Sequence, residues 1–165
     1  MIFHLSSQWT IALDFIMWLF IHVGVSMSIA RIGQDSFNPE SWFYRERSCE
    51  RDGEIYDVIF KVKRWKRVIP DGAAIFRNGF RKKNLHSSDT AYIQRFIVET
   101  CRGELTHWII FAFSIIFFLW NMWWVGMIMI AYALVVNIPC VITQRYNRIR
   151  LRRIISYRLA ADSLS

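Results

Sequence analysis

No lysine or arginine occurs in residues 1–30 or 105–144, although the 165-residue chain carries 21 of them. Fifteen lie between Arg31 and Arg102, and the other six between Arg145 and Arg158. The stretches free of Lys and Arg are also the apolar ones. A chain divided this way fits lipid spans alternating with aqueous segments, and the positive-inside bias places both basic blocks on the cytoplasmic side of a cell membrane. Cationic residues there are also drawn to anionic lipid head groups. In a soluble domain the net charge of +8 would raise nucleic acid as a partner. Here the membrane accounts for it, no nucleic-acid-binding motif is present, and nucleic acid is not expected.

The expected fold is an all-α membrane protein of about three transmembrane helices with cytoplasmic interfacial helices, built as one membrane domain over 1–165. Residues 8–30 form the first span. At 1.5 Å per residue they reach about 34 Å, enough for a hydrocarbon core of about 30 Å. Asp14, His22 and several Ser interrupt it, and helix–helix hydrogen bonding is the expected role of Asp14 and His22. A cleaved signal peptide is the competing reading. Against it, no basic n-region precedes the apolar stretch.

Residues 31–104 read as a cytoplasmic interfacial segment. Asn38-Pro39 marks a turn, and Pro70-Asp71-Gly72 a break. Between them, Val58 to Lys63 partly alternates, which allows a strand. Ile55, Ile59 and Val62 also form a helical stripe, and a basic interfacial helix with Trp65 at head-group depth is favoured. Phe76, Phe80 and Leu85 with Arg81-Lys82-Lys83 suggest a second membrane-skimming piece. Ser88 and Asp89 are candidate caps for a helix starting near Thr90. That helix enters a second span, 105–120. Asn121, Trp123 and Trp124 suggest a tight turn at the outer interface, and a third span covers 123–143. Pro139 is expected to kink or end it. Residues 144–165 are a basic, helix-prone tail.

Chemistry-bearing residues gather where spans meet the basic segments. In Glu99-Thr-Cys-Arg102-Gly-Glu104-Leu-Thr-His107, Glu104 and His107 are three apart and share a helix face. A carboxylate beside an imidazole can orient it and raise its basicity, as a general base requires. Ion pairing along the helix surface is the plainer reading of Glu99, Arg102 and Glu104. A metal site is a third, but a di-metal carboxylate site needs a second Glu-x-x-His, and none is present. Gln144-Arg145-Tyr-Asn147-Arg148 offers guanidinium forks for a phosphate or carboxylate, or serves only as a stop-transfer cluster. Trp65 and Lys66 belong to a basic aromatic stretch that suits an anionic surface. Three cysteines at irregular spacing give no disulfide framework in this compartment. GxSxG, HxxxxD, Walker and GxGxxG motifs are missing.

Four blocks together resemble the glycosyl-4,4'-diaponeurosporenoate acyltransferase family of small bacterial membrane proteins. They are Lys63-Arg-Trp-Lys-Arg-Val-Ile-Pro-Asp-Gly72, Ile97-Val-Glu-Thr-Cys-Arg-Gly-Glu-Leu-Thr-His-Trp108, Asn137-Ile-Pro139 and Gln144-Arg-Tyr-Asn-Arg148. Their order and spacing also agree, over most of residues 50–155. The chain departs from the pattern at Gly103 and Ile149, neither a polar candidate. The resemblance implies an acyltransferase that esterifies a sugar hydroxyl of a glycosylated carotenoid acid, or a related glycolipid, with a fatty acyl group, in staphyloxanthin-type biosynthesis. No bound cofactor is implied. The donor substrate would be an acyl thioester such as acyl-coenzyme A, and membrane lipids and an apolar glycosylated acceptor would be the other partners. Residue chemistry then makes His107 and Glu104 the catalytic candidates, and Arg102, Glu99, Arg145, Asn147, Arg148, Trp65 and Lys66 the substrate-binding ones. Two other classes remain open. One is a non-enzymatic partner or scaffold of a lipid or carotenoid pathway, and the other a different small membrane transferase. Oligomeric state is not encoded in any of these features.

Overall fold

A computed structural model describes residues 6–65 and 90–163. Their elements, in chain order, are α1 (Ser7–Ala30), α2 (Glu54–Val58), α3 (Val62–Trp65), α4 (Thr90–Phe113) and α5 (Trp123–Asp162), joined in part by short 3₁₀ turns. No strand occurs among the described residues. Among the described residues, three helical stretches are long and apolar enough to cross a membrane: α1, α4 with its 3₁₀ extension to Leu119, and α5. The chain is therefore an all-α membrane protein. Lys66, the Pro70-Asp71-Gly72 break, the Phe76–Leu85 piece and the Ser88 and Asp89 caps lie outside the described residues.

Two features differ from the sequence expectation. The basic stretch after Gly53 is neither a strand nor one helix. It is split into α2 and α3 at Lys61, whose φ of 49° leaves the right-handed region. Between these two differences, α4 starts at Thr90, where the sequence expects a helix that runs on into the second span. The third span and the basic tail are one 40-residue helix that runs through Pro139. A proline there removes one backbone donor and crowds the carbonyl four residues back. Nearby, Asn137 Nδ2 donates to the Ala133 carbonyl and the Cys140 thiol to that of Val136. Beyond Pro139 the Arg- and Leu-rich tail favours continued helix.

The chain divides into two compact units, 1–32 with 105–141, and 33–104 with 142–165. In the first unit, α1 is apolar all round, as a span is. Phe15, Leu19 and Phe20 lie exposed on it, while Asp14, Ile21, Val25 and Ile29 form its buried stripe. The Trp18 ring packs on Phe117 and Tyr132, with centroids 4.8 and 5.2 Å away. Its Nε1 points at Met129 Sδ, 3.4 Å away. Asp14 Oδ1 accepts hydrogen bonds from Trp120 Nε1 at 2.8 Å and Asn121 Nδ2 at 2.7 Å, which ties α1 to the turn before α5. At Gly126 a Cβ would fall 2.5 Å from the Phe118 ring, so any larger residue there would require that ring to move.

The second unit has its own apolar core of Ile93, Phe96 and Ile97 from α4 with Leu151 from α5, flanked by Ile154 and Ile155. The spacings are those of one helix face. The segment before α2 is irregular. Asn38 Oδ1 accepts the Glu40 N–H at 2.9 Å, which makes the turn expected at Asn38-Pro39. Arg51, Asp52 and Gly53 then follow one another at positive φ (45°, 54° and 86°). Two non-glycine residues in the left-handed region cost about 1–2 kcal/mol each. That cost is sustained at a loop that turns the Glu50 side chain into the interior.

Candidate active site

The second unit is organised around three buried charges, Glu50, Glu104 and Arg148, and the partly exposed Arg145. The Arg148 guanidinium pairs through Nη2 with Glu104 Oε2, and its Nε donates to the Tyr44 carbonyl at 3.1 Å. Its Nη1 lies 3.5 Å from Thr100 Oγ1. Arg145 Nε sits between two carboxylates, 3.5 Å from Glu50 Oε1 and 3.4 Å from Glu104 Oε1. Its Nη2 reaches the carbonyls of Phe43 and Arg45 at 3.3 and 3.4 Å. Glu50 accepts the Arg47 N–H at 2.5 Å and the Tyr56 hydroxyl. Two glutamates and two arginines sum to zero, so the cluster holds no uncompensated charge. Buried ions persist only with this kind of mutual pairing and hydrogen bonding.

Helix geometry explains the arrangement. Arg145 and Arg148 are three apart on α5, and Thr100 and Glu104 four apart on α4, so each pair shares a face. The partners from the irregular segment are brought in by its strained loop. Burial, with the charges of Cys101 and Glu104, pushes the Tyr44 phenol up to about 12 against the pull of Arg148. Burial and the bond to Glu50 likewise raise that of Tyr56.

A second polar group flanks the first. Tyr146 donates to Asp57 Oδ2 at 3.2 Å, and Lys63 Nζ lies 2.7 Å from the same oxygen. Burial works to raise the Asp57 carboxyl, but the bonds from Lys63 and Tyr146 outweigh it and hold the group below its ordinary value. Glu99 accepts Arg102 Nη1 at 2.7 Å and Gln34 Nε2 at 3.2 Å, with the Arg102 guanidinium 5.3 Å above the Phe37 ring. Trp65 Nε1 donates to the Phe60 carbonyl at 2.5 Å. Asn147 is half-buried on α5, and Lys66 lies outside the described residues. An open groove of about 340 Å³ is lined by Ile97, Val98, Ile155 and Leu159 together with Glu40 and Arg152.

In the first unit His107 is half-buried on α4, and its Nδ1 lies 2.9 Å from Asn137 Oδ1 on α5. Among the described residues, no three His, Cys, Asp or Glu side chains gather as metal ligands would.

The structure thus brings Glu104, Arg145 and Arg148 together and pairs Glu99 with Arg102. The Glu104 carboxylate is engaged by arginines, and the His107 ring by Asn137. Sequence reasoning passed over Glu50, Tyr44, Tyr56 and Asn137. Asn137 stood in one of the quoted blocks, but nothing in its local pattern marked it as the partner of His107. The other three lie in the aperiodic stretch before Lys61, where no local signal shows what they meet.

A family model described as glycosyl-4,4'-diaponeurosporenoate acyltransferase matches residues 39–157. Curated proteins of that name from Staphylococcus aureus, strains bovine RF122 / ET3-1, N315 and USA300, are 32% identical over 138 residues. These residues make up 84% of this chain and 83% of each relative. The chain belongs to this acyltransferase family. It is an enzyme that transfers an acyl group, which sets aside the scaffold reading. The matched region includes both polar clusters and His107. No solved structure matches the chain.

Proposed function

We propose that this acyltransferase esterifies a hydroxyl on the sugar of a glycosylated carotenoid acid, with a fatty acyl thioester as donor. One observation carries the reading: the likeness to the Staphylococcus aureus acyltransferases extends over 84% of this chain and 83% of theirs. The acceptor and the acyl chain are both apolar, and three lipid-crossing helices suit such substrates. The charge partition supports an orientation with the basic loop and the C-terminus on the cytoplasmic side, where thioesters are made.

His107 is the proposed base. Its ring takes the proton of the acceptor hydroxyl as the oxygen attacks the acyl carbonyl carbon. The tetrahedral intermediate then expels the thiolate, which recovers the proton from the imidazolium, so the products are an ester and a thiol. Glu104 and Arg148 serve as the frame of the buried cluster. Arg145 is the candidate for an anionic part of the donor, because it is 19% exposed and its contacts are long. Arg102 with Glu99, and Asn147, Trp65 and Lys66, are the other residues proposed to bind substrate.

The test is reconstitution in vesicles with a glucosylated carotenoid acid and palmitoyl-coenzyme A. Mass spectrometry should find the acceptor heavier by one acyl group, and His107→Gln should lower turnover by roughly 10²-fold or more. Failure of the wild-type protein to acylate the carotenoid, with turnover on another glycolipid, would overturn the acceptor assignment.

A further inference from the structure

The Asn137 amide is tied at both ends. Its Nδ2 donates to the Ala133 carbonyl one turn back on α5, and its Oδ1 lies 2.9 Å from His107 Nδ1. Asn137 is 1% exposed, so solvent offers the amide little alternative. A carbonyl can only accept, so the bond to Ala133 decides which end of the amide is nitrogen. The oxygen is then the end facing the imidazole, and it too can only accept. Nδ1 of His107 must therefore carry a proton, and in the neutral ring the lone pair resides on Nε2.

We propose that Asn137 is a positioning residue for the acyl transfer: it holds His107 in the Nδ1-protonated tautomer, so that Nε2 receives the proton of the acceptor hydroxyl. The inference rests on the assignment of His107 as the base. The choice of an amide has a physical reason. A carboxylate would select the same tautomer, but it would add a full charge within a membrane-crossing helix, where charge is costly. The amide fixes the ring through a neutral bond, and its own second bond fixes the amide.

The experiment uses the full chain in lipid vesicles with 15N-labelled histidine. The His107 signals are assigned by subtracting the spectrum of His107→Gln. The wild-type ring should give one protonated resonance, at Nδ1, and one unprotonated, at Nε2. Asn137→Ala should shift the population toward the Nε2-protonated form and lower kcat by roughly ten- to a hundred-fold, with KM little changed. Asn137→Asp, which can accept the same bond, should restore the Nδ1 proton and much of the rate. A wild-type ring protonated at Nε2 overturns the proposal without any variant, so a misfolded Asn137→Ala leaves it testable. If His107→Gln abolishes turnover while Asn137→Ala leaves the spectrum unchanged, the role of Asn137 falls and His107 stands. If His107→Gln turns over normally, the base assignment falls, and the catalytic purpose of Asn137 falls with it.

Discussion

Arg148 and Glu104 form an ion pair whose side chains are only 2% and 1% exposed. Such a pair is held because neither partner can be left alone. Arg148→Met strips Glu104 of its closest counter-charge and should destabilise the protein by about 3–5 kcal/mol. In Arg148→Met/Glu104→Leu both charges are gone, and much of that loss should return. Chemical unfolding in detergent compares the two. A single variant that loses under about 1 kcal/mol would remove Arg148 from the frame and return it to substrate binding.

The raised phenols of Tyr44 and Tyr56 set an alkaline limit. Unfolded tyrosine ionises near pH 10. Tyr44 is pushed up to about 12 and Tyr56 is raised as well, mainly by burial. Above pH 10 the unfolded chain therefore gives up protons that the folded chain keeps, and stability falls as pH rises. The contribution is fully present below pH 10 and is lost between pH 10 and about 12 for Tyr44. Melting temperature followed from pH 8 to 11 should drop over the upper part of that range. The drop should be shallower in Tyr44→Phe, which has no proton to lose.

Asp14 accepts two indispensable bonds in the first unit, from Trp120 and Asn121. Asp14→Asn keeps an acceptor oxygen for them, whereas Asp14→Leu leaves both buried donors without one. Each orphaned donor costs about 1–3 kcal/mol. Asp14→Leu should therefore melt well below Asp14→Asn in the same detergent. Equal melting temperatures would mean that the two bonds do not hold α1 to the turn.

Much of this fold is visible along the chain because its determinants are local. Apolar runs long enough to span, free of Lys and Arg, already specify the three rods. The face shared by Arg145 and Arg148 follows from their spacing alone. What they bind does not: Glu50 and Glu104 are 95 and 41 residues before Arg145, and no helical period relates them to it. The spacing of Glu104 and His107 was equally legible, yet their recorded partners, Arg148 and Asn137, come from another helix. Pro139 misleads for the opposite reason. Its local rule is to kink or end a helix, and here the helix does not end but runs on through it.

The proposed orientation makes a prediction that residue exposure allows to be tested cleanly. Met122, in the turn before α5, is exposed, and the positive-inside bias assigns it to the outer side. Ser163, just beyond α5, is also exposed and is assigned to the inner side. In a background with Cys49, Cys101 and Cys140 replaced by Ser or Ala, Met122→Cys should react with a membrane-impermeant maleimide added to intact cells. Ser163→Cys should react only after the cells are opened. Reaction of Ser163→Cys in intact cells would put the basic tail outside. The cluster of Glu104, Arg145 and Arg148 could not then meet a thioester made in the cytoplasm.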